Sequence, residues 1–170
     1  MKPAIFLITV FSGLGLNGFA AQPLTPDEQK FVKEAAASDQ AEIKFAQFAL
    51  EHATTAAVKQ FAQQMVTDHT KSTSMLKPIA GEHEVVLPDK LGPDANEDFQ
   101  RLEKASGIAV DKTYIEMMVK DHETMLDTFQ AEAAKVTDPQ LKDFIANVEP
   151  VVAHHLAMAK AIRQDEKTAS

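Results

Sequence analysis

The sequence predicts an all-α protein: four long helices forming an antiparallel bundle, with a long crossover between the second and third. Three observations lead there. Alanine, lysine and glutamate are the commonest residues, while the chain of 170 residues has only 6 glycines, 8 prolines and no tryptophan; such a composition favours helix. Four stretches place apolar residues alternately three and four apart, the seam of a packed helix. The links between the first and second and between the third and fourth stretches are short, whereas the middle link is about thirty residues.

The first long helix starts at Thr25-Pro26-Asp27-Glu28, an N-cap followed by proline at the first helical position and acids in the first turn. It runs to about His52 with inner positions Phe31, Ala35, Ser38, Glu42, Phe45, Ala49 and His52. Thr54 or Thr55 caps the second, whose seam is Val58, Phe61, Met65, His69, Ser72, Leu76 and Ile79, with Pro78 near its end and Gly81 just after. Pro88, Gly92 and Pro93 then exclude a long helix, though Ala95–Ser106 can form a short one. Asp111 is the expected cap of the third long helix, with a seam of Ile115, Met118, His122, Leu126, Phe129 and Ala133. Asp138-Pro139 repeats the cap-plus-proline signal. The fourth seam runs Leu141, Phe144, Val148, Val152, His155, Ala159 and Ile162, interrupted by Pro150, where a kink or bulge is expected.

The middle link is long enough to recross a bundle of helices near 28 residues, about 40–45 Å at 1.5 Å per residue. One long crossover is the ferritin-like arrangement, and it makes the second and third long helices parallel. The phrase MVTDH at Met65–His69 returns as MVKDH at Met118–His122. Parallel helices would set the two histidines at similar heights, as a duplicated hairpin would; an up-down-up-down bundle would also place both near its middle.

Residues 1–20 read as a signal peptide: Lys2, an apolar run from Ala4 to Leu16, and Gly18 and Ala20 at the −3 and −1 positions of a cleavage site after Ala20. The run is shorter than the roughly 20 residues of a membrane span. Residues 21–170 are then one domain with no integral span, exported to the periplasm or associated with the outer membrane. The chain has no cysteine, so disulfides, thiolate ligands and a lipid-anchored cysteine are excluded. Its net charge of −8, without a basic stretch, argues against nucleic acid as a partner.

Each seam is interrupted near its middle by a residue that can bind a metal: Glu42, His69, His122 and His155. One buried polar side chain is ordinarily satisfied by hydrogen bonds. Four at one height invite a shared explanation, either a transition-metal site or a polar network that fixes helix register. Asp68 and Asp121, which precede the repeated histidines, are either solvent-side charges or acceptors for an imidazole on a neighbouring helix. His154 lies off the seam, exposed or an outer partner; His52 and His83 are read as incidental. Met65, Met118, Met125 and Met158 crowd the same layer, as core filling or as thioethers that would favour copper. Val66, Val119 and Val152 stand three residues before the three histidines, so the Glu-x-x-His of diiron bundles is missing. Zinc or copper is therefore favoured over iron. No nucleophile-elbow or phosphate-loop motif occurs, and the reading leans away from an enzyme.

Four segments, SDQAEIKFAQFAL, VKQFAQQMVTDHTKSTSML, YIEMMVKDHETMLDTFQ and DPQLKDFIANVEPVVAHHLAMAKAI, in this order and spacing, resemble the exported bacterial family catalogued as domain of unknown function 4142. The resemblance covers about Phe31 to Ile162 and implies a ferritin-like four-helix fold and an envelope location. It assigns no activity, and the doubled His154-His155 leaves open which of the two points inward. Two functions follow as expectations: metal handling or envelope stress protection through the core site, or a non-catalytic envelope module whose polar layer is structural. Candidate partners are a second copy or an envelope protein.

Overall fold

A computed structural model describes residues 22–168; the expected signal peptide lies outside the described residues. Five helices follow one another: α1 (Pro26–His52), α2 (Ala56–Glu82), α3 (Pro93–Glu103), α4 (Ile108–Ala133) and α5 (Pro139–Thr168). No strand occurs among the described residues. The four long helices match the four predicted stretches, and α3 falls in the middle link.

Local chemistry sets the starts. Thr25 Oγ1 accepts the Glu28 N–H at 3.2 Å and Glu28 Oε2 accepts the Thr25 N–H at 2.8 Å, a reciprocal cap on α1. The other oxygen of Glu28 accepts from Thr137 N at 2.7 Å, Thr137 Oγ1 at 2.9 Å and Asp138 N at 3.1 Å. One carboxylate thus ties the start of α1 to the turn between α4 and α5. Burial alone would raise its pKa, but these donors outweigh it and bring it to about 2.

Thr55, not Thr54, is the cap of α2, accepting the Val58 N–H at 3.3 Å. Asp111 departs from its expected role. The cap of α4 is Gly107, and Asp111 sits in the first turn, fully buried. Its carboxylate accepts from Thr54 N at 2.7 Å, Thr54 Oγ1 at 3.1 Å and Thr55 N at 2.8 Å, closing the N-terminus of α2 from another helix. The end of α2 also lies beyond the predicted stop. Gly81 is still helical, and the left-handed residue is Glu84 at φ 54°. Val85 N donates to Ala80 O at 2.8 Å and Glu84 N to Gly81 O at 3.4 Å, the paired bonds of a Schellman ending.

Helix directions follow from contacts at known heights. Phe61 and His69 of α2 face Tyr114 and His122 of α4, with ring centroids 6.0 and 5.7 Å apart, so these helices run parallel. Phe31 meets Phe129 at 5.1 Å while Thr54 meets Asp111, which makes α1 and α4 antiparallel. α2 and α5 are antiparallel as well, His83 lying 3.3 Å from Asp138 and Asp68 2.9 Å from His155.

Two apolar packs fill the interior. One gathers Phe45, Phe61, Met65, Tyr114 and Met118 with Leu102 of α3. The other gathers Phe31, Leu76, Phe129, Leu141, Phe144 and Val152. Each such side chain contributes about 1.5–3 kcal/mol of burial. By position along the helices, Asp39, Glu42, His69, Ser72, His122 and His155, all buried, lie between the two packs.

Candidate metal centre

His69 on α2, His122 on α4 and His155 on α5 point into one place. Their ring centroids are 5.5–5.7 Å apart in all three pairings. One ring nitrogen from each lies within 4.8 Å of those of the other two. The three residues are 7, 2 and 1 % exposed, so water does not solvate them freely.

In each imidazole one nitrogen is committed to an oxygen. His69 Nδ1 is 2.9 Å from Asp39 Oδ1, His122 Nδ1 is 2.9 Å from the Met118 carbonyl, and His155 Nε2 is 2.9 Å from Asp68 Oδ2. Carboxylate and carbonyl oxygens accept, so these nitrogens carry the proton and their ring partners carry the lone pair. Those partners are His69 Nε2, His122 Nε2 and His155 Nδ1, buried and without a hydrogen-bond partner among the described residues. Burial, then His69 and His155 nearby, lowers the His122 pKa to about 3. Burial also lowers His155, against the opposing effect of its hydrogen bond to Asp68. Both rings are neutral at pH 7, the form that ligates a metal.

The outer layer corrects part of the sequence reading. Asp68 bonds His155 across two helices and also accepts from Gln64 at 2.7 Å. Burial would raise its pKa, but the bonds from Gln64 and His155 lower it. Asp121 makes no hydrogen bond to any of the three histidines; burial, then Asp98, raises its pKa to about 6. His154 is exposed and His155 buried, which answers which of the pair faces the core. Asp39 was missed. It is 4 % exposed, holds His69 and accepts from Thr73 Oγ1 at 3.1 Å. Its signal was the spacing Ala35, Asp39, Glu42, which continues the inner face as well as Ser38 does. His83, away from the cluster, has its side chain 2 % exposed with Nε2 3.3 Å from Asp138.

Glu42 lies on the wall of a cavity of about 20 Å³ together with Asp39, His69, His122 and Met125. That is room for one water-sized guest. Glu42 stands outside the group of three whose ligand atoms converge. Burial above all, then Asp121 and Asp39, raises its pKa well above the ordinary carboxylate value, and Glu42 Oε2 has no partner. The Tyr114 hydroxyl is likewise buried and unpartnered, its pKa raised by burial and by Glu42. Of the methionines, Met65 and Met118 are fully buried in the apolar pack. Chemically the arrangement offers three imidazoles held by fixed outer partners, the usual construction of an imidazole metal site.

The family described as domain of unknown function DUF4142 matches residues 16–162. No curated protein matches the chain. Among solved structures, a DUF305 fragment from Deinococcus radiodurans is similar at TM-score 0.75 and 11 % identity, over 85 % of this chain and 99 % of that one. CopM in its Cu(I)-bound form is similar at TM-score 0.70 and 16 % identity, covering 81 % of this chain and 96 % of CopM. Its Cu(II)-bound form gives TM-score 0.70 at 17 % identity, with the same 81 % and 96 % coverage. At these identities the likeness is one of fold. No helix among the described residues is long and apolar enough to cross a membrane.

Proposed function

We propose, for a chain that belongs to the DUF4142 family, that it is an exported metal-binding protein holding one transition-metal ion, copper or zinc, at His69, His122 and His155. One observation carries the reading: three buried histidines whose rings converge in the core each keep one ring nitrogen without a hydrogen-bond partner among the described residues. Each orphaned buried acceptor costs about 1–3 kcal/mol, and a single shared ion would satisfy all three. Glu42, on the wall of the same cavity, is the candidate fourth donor after losing its proton. Asp39 and Asp68 set the tautomers of His69 and His155, with Asp121 and His154 further out. Imidazole suits both zinc and copper; CopM, of similar fold, has been solved holding Cu(I) and Cu(II), which makes copper the first ion to test.

The four long helices are read as a ferritin-like bundle with α3 in its crossover, supported by the parallel run of α2 and α4. Export to the periplasm, or association with the outer membrane, rests on the signal-peptide features of residues 1–20. The role is metal handling or protection of the envelope.

A second reading has its own support. Asp39–His69 joins α1 to α2, and Asp68–His155 joins α2 to α5. Such bonds fix register by themselves, and the protein would then act through contacts with a second copy or an envelope partner. Elemental analysis of residues 21–170, purified without a histidine tag, separates the two. One ion per chain, lost in His69→Ala and His122→Ala, supports the metal site. Folded protein that refuses Cu(I), Cu(II) and Zn(II) supports the register reading.

A further inference from the structure

The three-histidine cluster is buried, so an ion must have a way in. An open groove of about 660 Å³ lies between α1 and α4 under the start of α3. Its walls carry Glu34, Asp94, Asp98 and Asp121 against one lysine, Lys120. Asp98 is engaged by Arg101 at 3.0 Å and Glu34 by Lys30 at 3.5 Å, leaving Asp94 and Asp121 as the wall carboxylates with no ion pair among the described residues. At its inner end the groove shares Ser38, Glu42 and Met125 with the small cavity beside His69 and His122. Glu42 is 2 % exposed and its Oε2 has no partner, so an uncommitted carboxyl group stands where groove and cavity meet.

We infer that this groove is the access route for a metal cation, with its carboxylates concentrating the ion and Ser38, Glu42 and Met125 forming the threshold to the histidines. The inference rests on the metal-binding reading above. A cleft lined by one sign of charge raises the local concentration of an oppositely charged ligand and its on-rate, and salt screens the effect. Small side chains line the way: Ala37, Ser38 and Ala41 of α1 and Ala95 of α3 keep the groove open where larger ones would fill it.

The test is kinetic, with Cu(II) ions as the probe and the untagged chain as the sample. Tyr114 is the one tyrosine and there is no tryptophan. Its ring lies 6.0 Å from Phe61, which lies 6.2 Å from His155. Tyrosine fluorescence after stopped-flow mixing therefore reports Cu(II) arrival, and loss of the signal in His122→Ala identifies the phase. Asp94→Asn/Asp98→Asn should lower the second-order loading rate about 3–10-fold at low salt while the endpoint stays at one ion per chain. The difference should vanish near 1 M salt, where the screening length is about 3 Å. Ser38→Leu should slow loading at every salt concentration, and exposed Asp143→Asn on α5 should change nothing. If both groove variants fill at the wild-type rate, access lies elsewhere and the inference is wrong. Should Ser38→Leu fail to fold by circular dichroism, the surface double variant decides alone. Wild-type protein that takes up no metal overturns the binding reading, and the route with it.

Discussion

Asp39 and His69 meet inside the protein, Oδ1 to Nδ1 at 2.9 Å, with both residues more than nine-tenths buried. The contact joins α1 to α2, and it determines which face of the imidazole looks into the cavity. An anion behind a ligating histidine fixes its tautomer and raises its basicity, and its removal typically costs 10–100-fold in metal affinity. Asp39→Ala should weaken copper or zinc binding by about that factor, measured by chelator competition, with stoichiometry unchanged. Unaltered affinity would reduce Asp39 to a packing role.

Metal should also appear in the melting curve. An ion at about 1,000 times its Kd adds about 4 kcal/mol. For a chain of this size that corresponds to a rise in Tm of about 8–16 °C. The rise should reverse with a chelator and be missing in His69→Ala. A melt indifferent to metal and chelator would speak for the register reading.

Acid should destabilise the metal-free protein in two stages. His122 titrates near 6.5 when unfolded and about 3 when folded. Glu28 moves from 4.5 to about 2 on folding. In both cases the unfolded chain binds more protons between the two values, so stability falls as pH falls through each window. The His122 contribution is lost below pH 6.5, partly offset by Asp121, raised from 3.8 to about 6, and by buried Glu42. Both carboxyl groups hold their protons in the folded chain over the same range, so the steep loss comes below 4.5. Glu28 alone accounts for about 3 kcal/mol. Denaturant titrations across pH should show a flatter lower stage in Glu28→Gln and a flatter upper stage in His122→Leu.

Asp111 supplies three hydrogen bonds to the N-terminus of α2 from a fully buried position. Asp111→Ala leaves those donors without a partner and should cost about 2–4 kcal/mol. Asp111→Asn, which keeps an acceptor, should cost less. Equal losses in the two variants, measured by chemical denaturation, would mean that cavity formation rather than hydrogen bonding dominates.

Glu84 holds a left-handed conformation at the end of α2 while its side chain is exposed. Glycine adopts that conformation without strain. Glu84→Gly should therefore stabilise the protein by about 0.5–1 kcal/mol, one of few substitutions here expected to do so. A loss of stability would show that the side chain contributes something the backbone geometry does not reveal.

These residues also mark how far the sequence could be read. Thr25-Pro26 and Asp138-Pro139 were legible because capping is local: the side chain and the N–H it accepts are three residues apart. The three histidines were legible because a polar residue on an apolar seam breaks a period. Asp111 was misread because its partners lie 56 and 57 positions away, a distance no local pattern encodes. Asp39 was passed over because it shares the inner face with Ser38, and one period cannot rank adjacent residues. Glu42 was correctly read as buried, but spacing gives height along a helix and not position around the core, so its place outside the converging trio needed coordinates.

The twin phrases ending in Asp68-His69 and Asp121-His122 lie on helices pointing the same way, so one sits beside the other as a shifted copy rather than a mirrored one. Their histidines turn their rings into one cluster, yet their aspartates differ: Asp68 braces a ring on α5, whereas Asp121 lines the outer groove. Identical wording has become division of labour. Swapping aspartate for asparagine is consequently two different experiments: on the proposed metal site and route, one touches how firmly an ion is held and the other how quickly it arrives.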